Sequence, residues 1–217
     1  MKIHDRVREA LLPILSAAMD IAVRHGLASD YGAGNRPRHI AGNLAEPDEV
    51  RLILLLAEPG SSPGPEELNR NKAAWIDDVT CDGLGNGRFR LRYDEYAATA
   101  YEKNPREFIE MVWPDESTPE RMRKTIITNS FWMQASMSGG TIPAGAANDF
   151  GPYLRSLVSA FPNAVVAAAG SKAADRCRRA SISAIEMGAL TPPGSNRPKV
   201  RGTWHPTALE VQRRLDF

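Results

Sequence analysis

Leu52-Ile53-Leu54-Leu55-Leu56 is an unbroken apolar run, bounded by Arg51 on one side and by Glu58-Pro59-Gly60 on the other. Its length suits a strand, and the absence of polar alternation predicts burial on both faces. Pro59 and Gly60 force the backbone to turn there. Glu58 is thus left at the carboxyl end of the strand, where open α/β sheets bind their ligands. Gly60 carries no Cβ to block a ligand. A carboxylate closing a plain polar turn would look the same, so the remaining segments decide between the two.

Those segments alternate in period. Val7, Leu11, Leu12, Ile14, Leu15, Met19, Ile21 and Ala22 recur at helical spacing and predict an amphipathic helix over 5–25, stopped by Gly26. Residues 26–50, rich in Gly, Asn, Pro and Arg, read mostly as loop. After the strand at 51–57, helices are expected over 66–77, 105–112 and 118–124, with a loop or hairpin turn at 82–88. A second strand at 125–128 leads into Asn129-Ser130-Phe131-Trp132, and 136–147 reads as a Gly-rich loop. A helix at 150–160, a strand at 163–169, a helix at 171–179 and a strand at 184–190 follow. A Pro-rich loop then gives way to a closing helix at 206–215, with Pro206 in the first helical position. Strands alternating with helices predict a three-layer α/β/α sandwich around a central, mainly parallel four-stranded sheet. With 217 residues the chain fits one domain, in which residues 1–50 form an N-terminal helix and loop extension.

Composition removes several classes. The 42% hydrophobic and 24% charged content is ordinary for a soluble domain, and no apolar run approaches membrane-spanning length. The amino terminus turns charged at once, so a cytoplasmic location is expected. Cys81 and Cys177 have no metal-ligand spacing and are too few for a disulfide framework or a four-cysteine cluster. Gly170-Ser171-Lys172 lacks the P-loop frame, and Asp82–Arg88 does not open a dinucleotide-binding helix. No metal or cofactor is expected. The formal charge of +1 conceals an asymmetry: residues 121–217 hold 13 Lys/Arg against 5 Asp/Glu, leaving 14 against 21 in residues 1–120. A basic half suits a phosphate-backbone partner.

Taken in order, four segments resemble the uracil-DNA glycosylase superfamily over residues 50–217. Leu56-Ala57-Glu58-Pro59-Gly60, continued by Ser61-Ser62-Pro63-Gly64-Pro65, is similar to the family's first motif. Ile126-Ile127-Thr128-Asn129-Ser130 resembles the strand ending in its base-reading Asn. Val165 to Ala173 looks like its third strand and Gly-x-x-Ala helix start. Leu190-Thr191-Pro192-Pro193 stands where the family has His-Pro-Ser-Pro. There are departures. Glu58 is one methylene longer than Asp, Gly60 replaces the bulky Tyr of some branches, and the second-motif His is absent. His205-Pro206-Thr207 lies about fifteen residues too late to replace it and reads as the start of the closing helix.

The resemblance implies a DNA glycosylase that hydrolyses the N-glycosidic bond of a flipped uracil, or of another damaged or mismatched base, as a monomer bound to single- or double-stranded DNA. Glu58 would be the catalytic carboxylate, stabilising positive charge on the sugar and positioning water. Pro59, Gly60, Asn129 and Phe131 would hold the base. Asn129 supplies a donor and an acceptor matching one pyrimidine edge. Trp132 and Trp75 are further stacking candidates. Thr191, Pro192, Gly194, Ser195, Arg197 and Arg201 would contact DNA, with Arg197, Lys199 and Arg201 reaching phosphates. The bland readings stay beside these: Glu58 stabilising its own turn, Asn129 serving loop backbone, aromatics in the core, and 191–198 a solvent loop. The missing His leaves a second possibility, a nucleic-acid or nucleobase binding module that keeps the fold without the chemistry. A small-molecule α/β hydrolase or transferase unrelated to DNA is a third, without a Gly-x-Ser-x-Gly elbow, Cys–His motif or His-rich metal pattern to support it.

Overall fold

A computed structural model describes residues 3–27, 40–58, 100–133, 141–191 and 194–216. The expected helix at 66–77 and turn at 82–88 lie outside these residues, as do Trp75, Pro59, Gly60 and Pro192. In chain order the elements are α1 (Asp5–Arg24), β1 (Ile40–Gly42), β2 (Leu52–Leu56), α2 (Ala100–Val112), α3 (Thr118–Arg123), β3 (Thr125–Asn129), α4 (Ala144–Ser159), β4 (Val165–Ala169), α5 (Ser171–Arg179), β5 (Ile185–Met187), α6 (Pro198–Arg201) and α7 (Trp204–Leu215).

The sheet order is β1-β3-β2-β4-β5. Pairs β3–β2, β2–β4 and β4–β5 are parallel, with Leu56 opposite Asn129 and Leu55 opposite both Thr128 and Ala168. Four parallel strands flanked by helices form the expected α/β/α sandwich. The run that predicted two buried faces delivers them. Ile53 and Leu55 join Ile126, Val166 and Ala168 under α1, α4 and α5. Leu52 and Leu54 join Ile127 and Ala167 under α2, α3 and α7. Each fully buried Leu or Ile among them stabilises the fold by about 1.5–3 kcal/mol relative to exposure.

The chain leaves β2 for β3 through α2 and α3 on one face, then returns over β2 to β4 through α4 on the other. Crossovers of one hand moving in opposite directions must occupy opposite faces, so this division follows from chirality. The direction changes between β2 and β4. The carboxyl ends of these two strands are the usual ligand position in such sheets.

Several boundaries differ from expectation. Within the stretch read as loop, β1 pairs antiparallel with β3 at the sheet edge, Ile40 opposite Thr128. Gly42 has φ +122°, and a Cβ there would stand 1.9 Å from the Thr125 carbonyl oxygen. Such a short strand with a closing Gly has no period-2 signal to read. Helix α4 begins at Ala144, inside the stretch read as Gly-rich loop, because Ala144, Ala146 and Ala147 favour helix more than Gly145 opposes it. Strand β5 stops at Met187, since Gly188 turns its N–H to the Thr203 hydroxyl, 3.0 Å away. Helix α7 starts at Trp204, so Pro206 is its third residue and not its first; it still lies in the turn whose N–H groups lack intrahelical acceptors. Pro198 takes the first position of α6 instead.

Candidate functional site

Glu58 follows β2 by two residues and its side chain is 12% exposed. Sequence reasoning missed the two cations that meet it. Arg176 on α5 donates from Nη2 to Glu58 Oε2 at 2.6 Å, and Lys172, one turn earlier, bonds Oε1. Both come from the helix after β4, so the pairs bridge the switch point itself. Ala173, Ala174, Arg176 and Cys177 form the buried face of α5. Gly170 caps that helix at φ +90°, a conformation in which a Cβ would press on Ala189 at 3.3 Å.

Arg176 has further partners. Its Nη1 donates to the Ser130 hydroxyl at 3.2 Å, and its guanidinium carbon lies 5.2 Å from the Phe131 ring centre. Ser130 in turn donates from its backbone N–H to Leu56 at 2.7 Å and from its hydroxyl to the Ala57 carbonyl at 3.2 Å. The exits of β2 and β3 are thereby tied together under one guanidinium. Burial of Glu58 pushes its carboxyl up, but the Arg176 charge and the bonds from Lys172 and Arg176 outweigh this and hold it below the usual carboxylate range. The site carries an ionised carboxylate between two cations.

Asn129 ends β3 opposite Leu56, so it stands on the same sheet edge as Glu58, and it is buried. Its backbone carbonyl accepts from the Trp132 indole at 3.2 Å. Phe131 and Trp132 are both core residues. Phe131 is fully buried, edge-on to Phe150 with ring centres 5.3 Å apart, so its ring faces are taken up inside the protein. For the described aromatics, the core reading of the sequence is the one that holds.

The loop after β5 reaches the same edge. Ala189 is flanked by the Gly170 and Gly194 turns, since a Cβ on either would meet its own. The Thr191 carbonyl accepts from the Ser195 N–H at 3.2 Å, and the Gly194 carbonyl accepts from the Arg197 N–H at 3.1 Å, closing a turn over Gly194–Asn196. Ser195 is buried, and its hydroxyl has no hydrogen-bond partner among the described residues. Arg197 and Lys199 are exposed. Arg201 is already engaged: its Nη2 bonds both Glu107 oxygens at 2.8 and 2.9 Å, and it lies over the Trp204 ring. His205 is exposed in the first turn of α7.

Among the described residues no group of three or more His, Cys, Asp or Glu is placed to hold a metal ion, and no helix is long and apolar enough to cross a membrane. The chain matches no family model, no curated protein and no solved structure.

Proposed function

We propose that the protein is a DNA glycosylase-like hydrolase acting on a flipped uracil or another damaged or mismatched base, as a cytoplasmic monomer without a metal or cofactor. The observation that supports this most is an ionised, oriented Glu58 at the point where the sheet reverses direction, with Asn129 one strand away on the same carboxyl edge. In the reaction the bond from the sugar C1′ to the base nitrogen breaks, its electron pair leaves with the base, and the sugar carries the positive charge. Glu58 stabilises that charge and accepts a proton as water adds to C1′; the departing base is protonated in its turn. Asn129 reads the base edge. Arg197 and Lys199, exposed beside that edge, hold phosphates.

A specific observation favours the second reading, a nucleic-acid or nucleobase binding module. Both Glu58 oxygens already accept from cations, and by the sequence resemblance Leu190 or Thr191 takes the place of a leaving-group His. Removing one such stabilising donor costs about 10²–10³ in rate in other enzymes. Base release from labelled oligonucleotides carrying uracil, hypoxanthine, xanthine or a G·T mismatch tests the two, scored by cleavage at abasic sites with Glu58→Gln beside the native protein. Release that depends on Glu58 supports the hydrolase. Binding without release on any substrate leaves the binding module.

A further inference from the structure

Arg176 is 7% exposed at its side chain, yet it occupies the helix face that α5 otherwise gives to Ala173, Ala174 and Cys177. A guanidinium in such a place is costly to desolvate, and an apolar side chain of similar volume is often neutral or stabilising there. Packing alone therefore does not account for the charge. Its partners do: the Glu58 carboxylate ahead of one nitrogen, the Ser130 hydroxyl at another, and the Phe131 ring along its face. These three belong to the exits of two different strands. A rigid planar fork with several donors meets carboxylate, hydroxyl and ring at once, which a lysine ammonium cannot do. Lys172 forms a contrast: its side chain is 56% exposed, and it reaches the other Glu58 oxygen on a flexible stem.

We infer that Arg176 is the positioning residue of this site, fixing the direction of the Glu58 carboxylate and its spacing from the end of β3, while Lys172 adds charge without setting geometry. The inference rests on the reading of Glu58 as the reactive carboxylate. Arg176 acts through Glu58 and Ser130 and need not touch the substrate. A small displacement of a catalytic group is enough to slow a reaction strongly.

The test uses the full chain as Arg176→Lys, Arg176→Met and Lys172→Met, each checked for folding by circular dichroism. Two readouts are taken: the pH profile of base release with kcat and KM separated, and the carboxyl titration of Glu58 by carbon NMR. In Arg176→Met, kcat should fall on the order of tenfold or more with KM little changed. The acid limb should move to higher pH along with the Glu58 titration. Arg176→Lys should return the titration toward the native midpoint but recover kcat only in part, since the charge is restored and the fork is not. Lys172→Met should affect kcat less than Arg176→Met. If Arg176→Met titrates Glu58 as the native protein does, or if Lys172→Met slows release as much as Arg176→Met, the assignment is wrong. Should the native protein release no base at all, the hydrolase reading fails by itself. The Glu58 titration in Arg176→Met and Arg176→Lys then still decides whether Arg176 governs the carboxylate.

Discussion

Arg176 Nη2 lies 2.6 Å from Glu58 Oε2 and joins the second turn of α5 to the segment that leaves β2. This contact ties the exit of β2 to the helix that follows β4, so it links stability to the site. Glu58→Gln retains an acceptor oxygen for Arg176, whereas Glu58→Ala leaves a buried guanidinium facing no carboxylate. Glu58→Gln should abolish base release with DNA affinity little changed, and should cost about 1–2 kcal/mol of stability. Glu58→Ala should cost about 3 kcal/mol, because breaking a buried pair strands its partner. Urea unfolding separates the two. Two variants as stable as the native protein would mean that the pair adds nothing to the fold.

Acid should weaken the protein through the same group. Glu58 is held below its ordinary value of 4.5 in the folded state, and Asp149 is held low by the His25 and Arg24 side chains beside it. A carboxyl lowered on folding contributes stability above its unfolded value and loses it as pH falls through its folded value. Unfolding free energy should thus be level above about pH 5 and drop progressively below it. In Arg176→Met the fall should be shallower, since less of the Glu58 contribution remains to be lost. Denaturant titrations stepped in pH measure both curves. An identical slope in the variant would show that Arg176 does not hold Glu58 ionised.

The edge strand supplies a test of backbone geometry. Gly42 combines φ +122° with a Cβ position 1.9 Å from the Thr125 carbonyl oxygen. Gly42→Ala should cost about 3 kcal/mol by strain and displacement of β1 from β3. Gly26→Ala should cost less, since Gly26 has φ +62° with open space around the missing Cβ. Comparable losses at the two sites would argue that β1 is not held against β3.

Much of this architecture was legible because its signals are local. Leu52–Leu56 and Val165–Ala169 are apolar runs with no alternative to burial, and Val7, Leu11, Ile14 and Ile21 keep one stripe inward. The edge strand was not, for Ile40–Gly42 has three residues and pairs with a partner more than eighty positions away. The same distance hid the site's cations. Glu58 was visible from its strand and turn, but Arg176 and Lys172 lie in a stretch that reads as a basic helix surface, and nothing local says that Arg176 points inward. Phe131 invited a stacking role for the opposite reason: an aromatic after a strand looks the same whether it lines a cleft or, as here, fills the core against Phe150.

Arg201, Arg197 and Lys199 form a series whose sequence context is uniform and whose structural contexts differ. Arg201 bonds both oxygens of Glu107 and covers Trp204, while Arg197, the N-cap of α6, and Lys199 in its first turn stand exposed. If this loop holds DNA phosphates, Arg197→Gln and Lys199→Gln should each reduce the slope of log affinity against log salt by about one. Arg201→Gln should leave that slope unchanged and lower stability by about 0.5–1 kcal/mol, since its charge is already spent within the protein. Affinity titrations from low to moderate salt give the slopes. A loss of slope at Arg201 equal to that at Arg197 would mean that DNA draws Arg201 away from Glu107, and the loop would then reorganise on binding. Unchanged slopes in all three would move the phosphate contacts off this loop.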